Sequence, residues 1–275
     1  MATTSHGAAS LLREKASVIL TQNITYGNWI RRKVLAVLGL SILTLGILFF
    51  MLNNVYLQIV IGLLLVILLI SFSFPLYAYY SFSPRGGNLQ EKVYTLIVDS
   101  LGQSALETAL DIGTGNGVLA LKLAQKYPVA QVVGMDYWGK DWEYSQSICE
   151  ANARIAQVAD RVCFVKGDAA SLQFDEASFA AVVSNLTFHE VKSAPQKREV
   201  VREALRVLQL GGKFVFVDYF YDSQYYGPVT EFEAFLHRQG LAKVEFKRLS
   251  SALPLPLLLR HPKIFGKVGI IYGQK

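Results

Sequence analysis

The stretch Ala109–Gly117, read ALDIGTGNG, decides how the rest of this chain is understood. A short apolar run from Thr108 to Ile112 ends at Gly113, and a helical pattern resumes at Val118. Gly113, Gly115 and Gly117 therefore fall in a tight turn from a strand into a helix. Such a turn calls for glycine, because positive φ and close ligand approach exclude a Cβ. The helix that follows offers unpaired N–H groups at its start, which suits a nucleotide-like or carboxylate-bearing ligand. Asp111 lies two residues before Gly113, so strand alternation puts both on one side, at the carboxyl end of the sheet where open α/β folds bind ligands.

The dinucleotide fingerprint also joins glycines to an acid, but its third glycine would fall at Val118, and it has no use for an acid at Asp111. The spacing of acid, one residue, then Gly-x-Gly-x-Gly instead resembles motif I of the class I S-adenosylmethionine-dependent methyltransferases.

Composition adds a second theme. The chain has 275 residues, room for one ordinary domain and an appendage, and is 52% apolar. Val34 to Leu52 and Val55 to Phe74 contain no charged residue. At 1.5 Å per helical residue each is close to the roughly 30 Å hydrocarbon core of a bilayer. Two transmembrane helices joined at Asn53 and Asn54 are expected. A signal peptide has a shorter apolar core and no second span. Arg31, Arg32 and Lys33 precede the first span, Arg85 follows the second, and the connector has no Lys or Arg. The positive-inside rule then puts both termini and the catalytic domain in the cytoplasm, with Trp29, Tyr77, Tyr79 and Tyr80 at the interface. Gly39, Ser41 and Gly46 offer small surfaces for packing the two spans. Net charge is +6, with +4 over residues 1–33, −4 over 34–239 and +6 over 240–275. Beside a membrane anchor, basic ends point to an anionic lipid surface before nucleic acid. Cys149 and Cys163 have no metal or redox spacing.

The expected organisation is a cytoplasmic segment over 1–33, with a short amphipathic helix or a flexible lead-in at Leu11–Leu20, a two-span hairpin over 34–82, and the methyltransferase domain over 83–275. Ser81–Asn88 reads as a linker. Leu89–Leu101 reads as an amphipathic helix covering the sheet edge near the ligand. Strands at Thr108–Ile112, Gln131–Met135, Val162–Val165, Phe179–Ser184 and Lys213–Tyr219 alternate with helices near Leu119–Lys126, Trp142–Ala156 and Gln196–Leu208, which predicts an α/β, Rossmann-like, mostly parallel sheet. Leu241–Phe246 and Lys267–Tyr272 bring the strands to seven, and the methyltransferase resemblance implies that these last two form an antiparallel end.

Asp136 ends the second strand, where a carboxylate can accept both hydroxyls of a ribose. Tyr137 either packs on ribose or adenine or is a surface aromatic. Asp168, in KGDAA, resembles the acid that contacts adenine in this class, with Ala169 supplying a backbone N–H. Asn185, in SNLTFHEV, sits where such enzymes line the cleft between cofactor and substrate. His189 in the same loop is either a general base or a residue that shapes the pocket. The segments MDYWGKDWEYSQSICEANA (135–153) and FHEVK (188–192) resemble an uncharacterised family of bacterial membrane-attached methyltransferases. The rest of the domain is similar to the quinone and sterol methylating group. Asn185 lacks the Pro-Pro-Tyr of nucleic-acid and protein-glutamine methylators, no three-cysteine set suits arsenite, and no cluster suggests a magnesium site. The implied function is transfer of the methyl of S-adenosyl-L-methionine to a small, lipophilic acceptor. The alternatives are a protein or soluble metabolite as acceptor, with the hairpin only for location, and a non-catalytic cofactor-binding module.

Overall fold

The structure, a computed structural model, describes residues 24–140, 143–262 and 264–275. The expected amphipathic segment Leu11–Leu20 and the residues Asp141 and Trp142 lie outside them. The chain divides into two compact units, one over Gly27–Val93, the other built from Tyr94–Lys140 and Tyr144–Lys275, with which Ile24–Tyr26 groups.

The first unit is a pair of helices, α1 (Arg32–Met51) and α2 (Val55–Phe82). Twenty residues of α1 span about 30 Å at 1.5 Å each. Asn54 closes the connector by accepting the N–H groups of Tyr56 and Leu57, and Gln58 donates to the Leu52 carbonyl at 2.8 Å. Helix α2 continues past the apolar run Val55–Phe74 and through Pro75 to Phe82, 28 residues in all, the bound expected for the hairpin. A proline forfeits one backbone bond, which membrane helices tolerate when neighbouring groups re-satisfy it. The apolar segments of the two helices are 0% and 6% buried, so neither is the core helix of a globular domain. Both are long and apolar enough to cross a bilayer.

The packing of the pair differs from the expectation. A Cβ on Gly39 or Gly46 would meet nothing within 4 Å, and the Ser41 hydroxyl donates to its own Val37 carbonyl. Close approach falls instead at Gly62, against Phe49. A helix that is apolar all round carries no stripe to fix its rotation, so the packed face is not readable from its pattern. At the other end of the pair Asn28 donates to the Tyr79 carbonyl at 3.0 Å, and the rings of Trp29 and Phe82 meet at 5.3 Å.

The second unit holds a seven-stranded sheet of β1 (Thr108–Ile112), β2 (Gln131–Asp136), β3 (Val162–Lys166), β4 (Phe179–Asn185), β5 (Leu208–Asp218), β6 (Lys243–Arg248) and β7 (Gly269–Gln274). The order is β3-β2-β1-β4-β5-β7-β6, the first five parallel. The antiparallel end is refined in one respect, since β7 inserts between β5 and β6 and runs against both. Helices α3 (Leu89–Ser100), α4 (Val118–Lys126), α5 (Gln146–Ile155) and α6 (Lys197–Arg206) accompany the parallel strands. The end of α3 is tied to the end of α4, away from the glycine turn: Tyr127 donates to the Gly102 carbonyl at 2.6 Å, and Lys126 meets Asp99 at 2.7 Å.

Beyond β5 lie α7 (Ser223–Tyr226), α8 (Val229–His237) and α9 (Leu249–Ala252). An aromatic cluster locks the first two onto β6: Phe232 stacks on Phe220 at 5.2 Å and meets Tyr226 and Phe246 at 5.0 and 5.7 Å. Phe232 is fully buried. Phe232→Ala is therefore expected to cost about 3–5 kcal/mol, read as a lower urea midpoint for the full chain in detergent by intrinsic fluorescence.

Candidate active site

The glycine turn forms as its spacing predicts. Gly113, Gly115 and Gly117 have φ of 76°, 59° and 83°. A Cβ on Gly113 would strike Thr187, and one on Gly117 would sit 2.9 Å from the Phe164 ring. The N–H groups of Gly113 and Thr114 both donate to the Met135 carbonyl, fastening the turn to β2. Gly134, unremarked in the sequence, makes the same demand, since its Cβ would meet Phe164 and the Thr114 hydroxyl below 3.0 Å.

Two carboxylates hold the turn from below. Asp111 is buried and accepts from the Thr114 hydroxyl at 2.6 Å and from the Ala120 N–H, in the first turn of α4, at 3.1 Å. Asp136 accepts from Gly115 N–H at 2.8 Å and from Trp138 N–H at 2.9 Å. The Trp138 indole then donates to the Gly115 carbonyl at 2.9 Å, with Trp138 in the left-handed region at φ 44°. Burial pushes Asp111 up to about 7; the bond from Thr114 lowers it, and the charge of Asp136 raises it. Burial raises Asp136 as well, against the N–H groups of Trp138, Gly115 and Tyr137. Two acids with such environments suit a cation.

A further contact comes from far away in sequence. The Thr25 N–H donates to Asn152 Oδ1 at 2.8 Å, and the Thr25 carbonyl accepts from Asn152 and Asn116 at 3.1 and 3.2 Å. Asn152 also donates to the Asn116 carbonyl at 2.9 Å, so the segment ahead of the first apolar helix is clasped to the glycine turn.

At the end of β3, half-buried Asp168 accepts from Ala170 N–H at 2.9 Å, and Ala169 is buried beside it. Tyr137 is 67% exposed, with the Lys166 ammonium 5.4 Å from its ring centre. Trp138, not Tyr137, is the aromatic bonded to the glycine turn.

The other half of the site follows β4. Asn185 ends that strand, and its buried Oδ1 has no hydrogen-bond partner among the described residues. His189 lies on a short 3₁₀ turn, Phe188–Glu190, with Nδ1 2.8 Å from Asp218 Oδ1, while its backbone N–H donates to Asp218 Oδ2 at 3.3 Å. Asp218 is fully buried at the end of β5. In the tautomer that donates Nδ1–H to this carboxylate, the Nε2 lone pair can take a proton, with Glu190 Oε1 4.0 Å from it. Burial depresses the His189 pKa, but the charge and hydrogen bond of Asp218, with Glu190, outweigh burial and the opposing Lys197, so it lies above the ordinary value. Tyr219 and Tyr225 bring their rings to 4.7 and 5.6 Å from the imidazole. Lys197 donates to the carbonyls of Val191 and Ala194, closing the loop behind His189. Sequence reasoning passed over Asp218, although an acid at a strand's carboxyl end is the signal that singled out Asp136.

A glycine turn and a row of acids along the carboxyl edge of this sheet give the domain its Rossmann-like α/β character. Residues 110–216 match the family model for a methyltransferase domain. Relatives include a demethylmenaquinone methyltransferase of Roseiflexus castenholzii, 35% identical over 38% of this chain and 39% of the relative. A 27-O-demethylrifamycin SV methyltransferase of Amycolatopsis mediterranei is 36% identical over 40% of this chain and 38% of the relative. The matched part thus spans about two-fifths of either relative. Among solved structures, geranyl diphosphate C-methyltransferase of Streptomyces coelicolor A3(2) shares the fold, at TM-score 0.54 and 15% identity, over 70% of this chain and 78% of that one.

The residues present fit S-adenosylmethionine. Buried Asp111 with its raised pKa suits a ligand bearing positive charge, Asp136 at the end of β2 suits a pair of ribose hydroxyls, and the orphaned Asn185 Oδ1 needs a donor. Gly117→Ala would force a Cβ into Phe164 at positive φ. The expected loss is about 1–3 kcal/mol of stability, measured as a lower thermal midpoint, with Gly39→Ala unchanged as the control.

Proposed function

We propose that this chain is a membrane-anchored methyltransferase that uses S-adenosyl-L-methionine to methylate a small, lipophilic acceptor, with both termini and the catalytic domain in the cytoplasm. The observation that carries the catalytic part is the pairing of His189 with Asp218 across β4 and β5, beside the glycine turn on β1. The lipophilic acceptor is supported by the two apolar helices, by the tyrosines beside His189, and by relatives named for demethylmenaquinone and a rifamycin. The domains are the cytoplasmic segment 1–33, the two-span hairpin 34–82 and the methyltransferase domain 83–275.

Asp111, Gly113, Gly115 and Gly117 hold the amino-acid end of the cofactor, Asp136 takes the ribose hydroxyls, and Asp168 and Ala169 face the adenine. Asn185 accepts a hydrogen bond between cofactor and acceptor. When bound, S-adenosylmethionine supplies the methyl group as a sulfonium. Most of the protein's work is positioning and exclusion of water. His189 Nε2 withdraws the proton from an acceptor hydroxyl, and Asp218 fixes the tautomer and steadies the imidazolium that results.

Titration calorimetry with S-adenosylmethionine tests the cofactor assignment. The raised pKa of Asp111 predicts that affinity grows as pH rises through about 7, because the cation binds the carboxylate and expels its proton. The released proton is read from buffers of different ionisation enthalpy. Asp111→Asn should bind more weakly and lose this pH dependence; a pH-independent wild type would refute the assignment.

Labelled methyl transfer into a lipid extract and a protein pellet separates a lipophilic acceptor from a protein one. In that assay His189→Ala is expected to lower turnover about 10²-fold or more, with cofactor affinity retained. Because His189 must be neutral to act, the acidic limb of kcat/KM should lie above the ordinary imidazole value. Asp218→Asn removes the raising partner, so that limb should move to lower pH as turnover falls. An unmoved limb would leave His189 a packing role.

A further inference from the structure

The segment Ser251–Pro262, SALPLPLLLRHP, divides its leucines in an unusual way. Leu255 and Leu259 are buried, at 3% and 0% exposure, whereas Leu257 and Leu258 between them are 80% and 59% exposed. Among the described residues, the other large apolar side chains exposed on this unit, Val129, Tyr137, Leu210 and Tyr225, are isolated in sequence. Single exposed apolar residues are ordinary, but a pair held out together calls for a partner.

The local structure fixes that pair. Pro254 and Pro256 restrict φ and oppose a regular strand. Leu257–Arg260 forms a short 3₁₀ turn, with Leu259 N–H donating to the Pro256 carbonyl at 3.0 Å and Phe265 N–H to the Leu259 carbonyl at 3.1 Å. Arg260 Nε returns to the Leu255 carbonyl at 3.0 Å. With both flanking leucines anchored, the tip is already ordered before it meets anything, and ordering costs little on binding.

Around the apolar tip lies positive charge. Of the seven Lys or Arg in the last 36 residues, Lys243 pairs with Glu245, Lys267 with Asp222, and Lys275 donates to the Leu205 and Leu208 carbonyls, so the charge offered beside the loop is that of Arg248 and Arg260. Exposed Arg260 follows the leucines directly, and exposed Arg248 donates to the Gly266 carbonyl at 2.7 Å with its guanidinium 4.1 Å from the Tyr221 ring centre. Among the described residues neither arginine pairs with a carboxylate, so both keep their charge for an external anion. An ordered leucine pair inside a basic collar matches the layering of a lipid surface, acyl chains beneath anionic headgroups. The same chain carries two helices able to cross a bilayer, and tethering raises the local concentration of that surface at the loop.

We propose that Ser251–Pro262 is a membrane-docking loop, with Leu257 and Leu258 inserting into an anionic phospholipid surface and Arg248 and Arg260 meeting its headgroups. The proposal does not depend on the acceptor or on methyl transfer. It gives the catalytic domain a second contact with the bilayer.

Spin labelling of the full chain in vesicles provides the test. Cys163→Ser removes the exposed free thiol, while Cys149 is buried. Single cysteines then carry a nitroxide at Leu257, at Leu258, at exposed Leu210 as the aqueous control, and at Val60 in α2 to report insertion of the hairpin separately. In phosphatidylcholine vesicles containing phosphatidylglycerol, labels at 257 and 258 should be open to oxygen and shielded from a water-soluble nickel chelate, with the reverse at 210. In phosphatidylcholine alone this contrast should shrink at 257 and 258 but persist at 60. With the label at 60 inserted, water-like accessibility at 257 and 258 overturns the proposal. So does shielding from both reagents with spin–spin broadening that vanishes on dilution with unlabelled chain, which would mean a second copy of the chain as occupant.

Discussion

The turn at Gly113–Gly117 stands on two buried carboxylates, and the rest of the domain depends on their being held. Burying an acid is costly unless donors surround it. Asp111 draws donors from the turn and the first turn of α4, and Asp136 draws them from the turn and from the chain leaving β2. Each acid therefore binds one strand's end to the segment beside it. The raised pKa values show that these donors do not fully compensate burial. That residual demand for positive charge is the ground for proposing that the turn, besides being a structural joint, receives a cationic nucleoside.

The sheet order divides the site. Strands β3, β2 and β1 bring Asp168, Asp136 and the glycine turn to one side, and β4 and β5 bring Asn185, His189 and Asp218 to the other. Because β1 lies between β2 and β4, the chains leaving it and its neighbours separate there, and open α/β sheets bind ligands in that crevice. The His189–Asp218 pair and the acids of the glycine turn come from different segments. Each is placed by its own strand, and the loop after β4 meets the turn where Thr187, two residues before His189, packs against Gly113.

The clasp on Thr25 adds a link of another kind. Three hydrogen bonds hold Thr25: its N–H donates to Asn152, and its carbonyl accepts from Asn152 and Asn116. Asn116 belongs to the glycine turn itself. Thr25, which groups with the sheet unit, is thus fastened beside the glycine turn by side chains whose burial makes their hydrogen bonds expensive to lose.

Much of this was legible in the sequence because it is written in local patterns. The glycine spacing, the acids at strand ends, the strand and helix alternation and the two uncharged apolar runs each reflect backbone geometry or solvent transfer within a few residues. Tertiary structure decided the rest. Asp218 meets His189 across 29 positions, Thr25 meets Asn152 across 127, and β7 reaches its place between β5 and β6 only through long-range pairing. The packed face of the hairpin fell to Gly62 and not to Gly39 or Gly46, because helices apolar all round do not encode their own rotation. In the loop at 251–262, composition alone left every leucine equivalent. Only the folded chain buries Leu255 and Leu259 and leaves Leu257 and Leu258 to the outside, because burial depends on what the rest of the fold brings beside each side chain.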